Sequence, residues 1–84
     1  MLTSPDGSAA AVCAASGAYL VYWSPQPGFE ADDVERGPAA VASVVFSNDS
    51  GGIVLRVSCR DGVPVKHLSA AWRDDGGRGS SGDE

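Results

Sequence analysis

The sequence predicts an all-β fold, a small sandwich of about five to seven short antiparallel strands held by one disulfide. Three observations predict it. Runs rich in β-branched and aromatic residues recur along the chain, over 18–23, 41–46, 53–59 and 63–72. Turn signals separate them: Ser16-Gly17, the stretch from Ser24 to Gly28, that from Ser47 to Gly52, and Asp61-Gly62. The chain has 84 residues and two cysteines, Cys13 and Cys59, one in each of its two most strongly β-patterned stretches.

Taken in order, residues 1–8 contain the turn signal Pro5-Asp6-Gly7 and read as a linker. Residues 9–15 are apolar but rich in Ala, so a helix competes there. The shortness of the run, its closure by Ser16-Gly17 and the strand that follows favour a strand. In 18–23, a period of two puts Tyr19, Val21 and Trp23 on one face and Ala18, Leu20 and Tyr22 on the other. Pro25 and Pro27 lack ladder donors and end it. Residues 29–36, FEADDVER, read as an irregular connection; its alternatives are one helical turn, stopped by Gly37-Pro38, and an extended crossover with Phe29 and Val34 tucked under a sheet.

The strand 41–46 places Ala42, Val44 and Phe46 on one face. Residues 53–59 alternate most cleanly, with Ile53, Leu55, Val57 and Cys59 inward and Val54, Arg56 and Ser58 outward. Asp61-Gly62 is a hairpin signal, and 63–72 is a last strand whose Pro64 implies an edge position or a strand start. The domain therefore spans 9–72, and 73–84, RDDGGRGSSGDE, reads as a disordered tail.

A domain this short has a thin hydrophobic margin and often needs a staple. Two cysteines allow a single pairing, Cys13–Cys59, worth on the order of 4 kcal/mol on the chain-entropy model. Two buried thiols in a reducing compartment are the competing reading. The disulfide implies an oxidising, extracytoplasmic setting. No signal peptide and no run of membrane-spanning length is visible, so the expected export signal and any membrane anchor belong to a longer parent chain.

The order Cys13, Trp23, Cys59 is similar to that of immunoglobulin domains, in which a Trp on the third strand packs against the disulfide between the second and sixth. The resemblance implies that Trp23 covers the disulfide. Val57 occupies the position of the tyrosine corner, and the cysteine separation is short, so the fold expected is a reduced immunoglobulin-like sandwich. A second likeness covers most of 9–65. Trp23-Ser24-Pro25, Gly28-Phe29, Asp33-Val34, Arg36-Gly37-Pro38, Val44 to Phe46, Val57-Ser58-Cys59 and Asp61-Gly62-Val63-Pro64 resemble a pattern of small extracytoplasmic C-terminal modules in actinobacterial membrane-anchored proteins. That resemblance implies a disulfide-bonded β module on the outer face of the membrane and transfers no binding residues.

The net charge of −5, a single lysine and scattered arginines give no basic stripe, which argues against nucleic acid and anionic lipid. Contact with a membrane is expected only through the parent chain. His67 is the only histidine, there is no C-x-x-C, and no serine lies in a G-x-S-x-G elbow, so neither a metal, a cofactor nor an enzymatic activity is expected. Glu30, Asp32, Asp33 and Glu35 offer many oxygens without EF-hand spacing, and a solvated acidic loop competes with calcium there. Strict alternation separates Tyr22 from Trp23, which leaves one of the two exposed; if that is Tyr22 it is available to stack on a sugar or a protein. The candidate binding residues are Tyr22, Glu30, Asp32, Asp33 and Glu35. The function expected is a non-catalytic binding or sensor module of a larger receptor, monomeric or weakly dimeric, whose partner is a protein or a cell-wall polymer. The alternative is a spacer or a homo-oligomerising module that acts through the edge strand 63–72.

Overall fold

The structure is a computed structural model that describes residues 1–73; the expected tail, apart from Arg73, lies outside the described residues. Seven strands run β1 (Leu2–Ser4), β2 (Gly7–Ala14), β3 (Gly17–Pro25), β4 (Glu30–Glu35), β5 (Val41–Asn48), β6 (Gly51–Arg60) and β7 (Val63–Arg73). They form two antiparallel sheets, one of three strands in the order β1-β2-β3 and one of four in the order β4-β5-β6-β7. The fold is therefore an all-β sandwich with one disulfide, Cys13–Cys59, which ties β2 of one sheet to β6 of the other. Within each sheet every pairing joins strands consecutive in the chain, and the chain passes from one sheet to the other between β3 and β4. An immunoglobulin domain joins its sheets in the same covalent way, but puts its second and third strands in opposite sheets; here β2 and β3 pair with each other.

Ala9, Ala18 and Leu20 from the smaller sheet meet Ala42, Val44, Phe46, Leu55 and Val57 from the larger, all fully buried. The alternation of 41–46 and 53–59 holds, because Val44 pairs with Leu55 and Ala42 with Val57, and directly opposed residues share a face. Cys59 keeps that inward direction, since it bonds across to Cys13 of the other sheet, but at the end of β6 it is exposed. The disulfide thus staples one end of the sandwich and is not part of its core.

Residues 1–8, expected as a linker, form the first hairpin. Ser4 builds its turn: the hydroxyl oxygen accepts from the Asp6 and Gly7 amides at 3.3 and 3.1 Å and donates to the Gly7 carbonyl at 2.8 Å. Leu2, opposite Ala9, packs against the core. Gly7 must lack a side chain, since a Cβ there would lie 2.9 Å from the Phe46 ring.

The segment 29–36, expected to be irregular, contains β4. Its ladder with β5 slips between Asp32 and Glu35, where Asp33 adopts a left-handed φ of 46°. This β-bulge lets Ala31 and Val34, three residues apart, both pack inward, a spacing that alternation forbids. A bulge also interrupts β3. Ala10 faces Tyr22 but Ala11 faces Leu20, so Val21 is the extra residue.

The Asp61-Gly62 hairpin is as expected, with φ of 52° and 79°, the two positive values of a type I′ turn. The connection from β4 to β5 then closes the corner of the sandwich. Residues 36–39 run along the free edge of β3: the Leu20 amide donates to the Arg36 carbonyl at 2.9 Å, and Ala18 and Ala39 exchange bonds of 2.7 and 3.0 Å. The backbones approach so closely that a side chain at Gly37, whose φ is 86°, would strike the Ala18 carbonyl.

Candidate functional site

The bulge in β3 decides which aromatic residues face solvent. Ala18 and Leu20 are buried, and unbroken alternation would carry Tyr22 inward with them. The extra residue reverses the phase, so Val21 and Tyr22 are both exposed and Trp23 packs against the core opposite Ala9. Trp23 does not cover the disulfide. Cys13 pairs with Ala18, whereas Trp23 pairs with Ala9, about 13 Å away along β2 at the usual strand rise.

The partner of Trp23 is Arg36. Its guanidinium carbon lies 5.6 Å from the Trp23 ring and 5.0 Å from that of Tyr19. Arg36 Nε donates to the Leu20 carbonyl at 2.9 Å, and Nη2 donates to the Val21 carbonyl at 3.0 Å. The W-S-P and R-G-P pieces of the sequence pattern therefore meet in space. What they build is a clamp on the bulged edge of β3, because the fixed fork of donors meets two successive carbonyls while the cation rests on aromatic faces.

Around Tyr22 the outer face of the smaller sheet carries Thr3, Ser8, Ala10, Val12, Tyr19 and Val21, and the Arg36 guanidinium lies against its Tyr19 at the β3 edge. Tyr22 is 48 % exposed and Val12 47 %, and the Tyr22 hydroxyl points to the Met1 sulfur at 3.9 Å. Glu30, Asp32, Asp33 and Glu35 are exposed on β4, in the other sheet. Asp32 accepts a hydrogen bond from the Ser47 hydroxyl at 3.1 Å. The structure thus divides the candidate residues between two surfaces: Tyr22 on one layer, the four carboxylates on an edge strand of the other. Among the described residues no three His, Cys, Asp or Glu side chains gather as a metal would require.

Two features were not read from the sequence. Across β6 and β7 the Ser58 hydroxyl lies 3.3 Å from His67 Nε2. Both side chains sit on an open sheet face, and no carboxylate among the described residues bonds to His67 to complete a nucleophile, base and orienting group. Arg56 Nη1 donates to the Ser69 hydroxyl on the same face at 2.7 Å. The second feature is a groove of about 470 Å³ at the end of the sandwich, lined by Asp6, Phe29, Asn48, Ile53, Leu68 and Ala70 among others. These contacts join residues distant in sequence, and only the strand register brings them together. Compared with protein-family models, curated proteins and solved structures, the chain matches none of them.

Proposed function

We propose that this chain is a non-catalytic binding module that works in an extracytoplasmic, oxidising compartment as part of a larger receptor or regulatory protein. The observation that carries the reading is the outer face of the smaller sheet: free of acidic side chains in a chain of net charge −5, centred on the exposed pair Val21 and Tyr22, and bordered by the Arg36 guanidinium. A monomeric domain rarely leaves a contiguous apolar patch open without a partner for it. Hydroxyls of Thr3, Ser8 and Tyr22 beside alanines and valines suit a neutral partner, a cell-wall polysaccharide or an uncharged protein surface. The disulfide is consistent with the oxidising setting, and the resemblance to actinobacterial membrane-anchored modules supports the larger parent.

Titration with solubilised cell-wall glycans tests the reading. Chemical-shift changes confined to the β2 and β3 outer face are the expected result, with a rise in Tm that Tyr22→Ser abolishes. Changes confined to the acidic strand β4 would transfer the site there, and no response to any neutral glycan or protein fraction would remove the reading.

A specific observation favours a second reading, an assembly module. β7 has 11 residues, ends the four-stranded sheet, and has no strand on its other side among the described residues. A long open edge is a template for pairing with another chain.

A further inference from the structure

We infer that β7 pairs antiparallel with β7 of a second copy, about a two-fold axis at Leu68, and so joins two four-stranded sheets into one. The inference rests on the assembly reading and names its partner and register. It starts from the Asp61-Gly62 turn. A two-residue hairpin makes its flanking pair, Arg60 and Val63, exchange ladder bonds, and pairs alternate from there. Val63, Val65, His67 and Ser69 therefore direct their backbone groups to β6, while Pro64, Lys66, Leu68 and Ala70 direct theirs to the open edge. Pro64 fits this phase, because the N–H it lacks would have pointed away from the ladder.

Lys66, Leu68 and Ala70 each offer an N–H and a C=O to the edge, and Pro64 ends the series. With the axis at Leu68, Leu68 faces its own copy, Lys66 faces Ala70 and His67 faces Ser69. No like charges stand opposite, and β7 carries no acid between Val63 and Ala71. A second copy also answers an exposure the monomer leaves open. Leu68 pairs with buried Leu55, which places it on the inner face, yet it is 42 % exposed, although its strand neighbour Lys66 reaches the Thr3 carbonyl of the smaller sheet. The two-fold brings the two half-exposed Leu68 side chains together on that face. A single strand pair buries less than the roughly 1,200 Å² of a stable interface, so the dimer is weak and concentration-dependent.

Sedimentation equilibrium of the 84-residue chain up to millimolar concentration tests for the dimer, and a short bis-maleimide cross-linker tests its register. Leu68→Cys is expected to give a covalent homodimer as the main product and Val12→Cys, on the other layer, only a trace, with mass mapping to verify that Cys13–Cys59 is intact. Ala70→Pro, which removes an edge N–H and no bond to β6, is expected to abolish the dimer with the Tm in dilute solution unchanged. A dimer that ignores Ala70→Pro and does not cross-link through position 68 would overturn the register and leave the assembly reading standing. A monomer at every concentration would overturn both.

Discussion

Replacing Arg36 with alanine is the sharpest test of how the sandwich closes. Four interactions are lost. The Nε bond to the Leu20 carbonyl, 2.9 Å and partly buried, is worth about 1 kcal/mol net. The exposed Nη2 bond to the Val21 carbonyl at 3.0 Å adds about 0.5 kcal/mol. Each ring contact, with Tyr19 and with Trp23, adds about 0.5 kcal/mol at a site open to water. The expected loss is therefore about 2–2.5 kcal/mol, which for a domain of this size lowers Tm by roughly 10–15 °C. Urea melts followed by Trp fluorescence measure it as a shift in midpoint with m unchanged. Arg36→Lys keeps a cation over the rings but loses the fork, and should recover no more than half of the loss. An Arg36→Ala protein within about 0.5 kcal/mol of the parent, the range of an ordinary surface change, would refute the clamp.

Further predictions follow from the packing. Cys13→Ala combined with Cys59→Ala opens a 46-residue loop and should cost about 4 kcal/mol in a urea melt, matched by the parent under reductant. Gly7→Ala drives a Cβ to 2.9 Å from the Phe46 ring and should cost about 1–3 kcal/mol by overpacking. Adding Phe46→Leu should then cost less than the sum of the two single changes, the mark of direct contact. Gly28 and Gly37 form a matched pair, with φ of 88° and 86°, but only Gly37 meets backbone. Gly28→Ala should cost about 1–2 kcal/mol from its left-handed backbone alone, and Gly37→Ala clearly more in the same thermal melt.

The parts of the fold that were legible are those fixed by short-range chemistry. Alternation over 53–59 identified Leu55 and Val57 as core, Asp61-Gly62 identified its turn, and two cysteines in a short chain identified the bond between the sheets. Elements fixed by a partner strand were illegible. β1 is three residues with no hydrophobic run, held by Ser4 and by the approach of Leu2 to Ala9. β4 reads as acidic and aperiodic because its inward residues, Ala31 and Val34, are three apart. Nothing local signals the bulges of β3, β4 and β7, since a bulge is a mismatch between two strands and is visible only once both are paired.

The bulges of β3 and β4 also connect the fold to the surfaces proposed for binding and assembly. Each sets two consecutive side chains outward, Val21 with Tyr22 on β3 and Asp32 with Asp33 on β4. The strands that carry them lie on either side of the Arg36 crossover. A bulge strengthens local twist and breaks the regular array of edge donors and acceptors. On β4 the left-handed Asp33 and four carboxylates therefore protect an edge of the larger sheet, and on β3 the free carbonyls are taken by Arg36. β7 carries Pro64, Lys66 and a bulge of its own at Ala71, but over 63–70 its register with β6 is unbroken. Of the two edges of the four-stranded sheet, β4 is interrupted in mid-strand and lined with four carboxylates, whereas β7 offers Lys66, Leu68 and Ala70 in unbroken series between Pro64 and the Ala71 bulge. That asymmetry is why a second copy belongs at β7 rather than at β4, and why removing the Asp33 bulge, by deleting Asp33, should create a new association surface that sedimentation at high concentration would detect. If the deletion variant folds and stays as monomeric on that side as the parent, with β7 blocked by Ala70→Pro, the protective role assigned to the bulge is wrong.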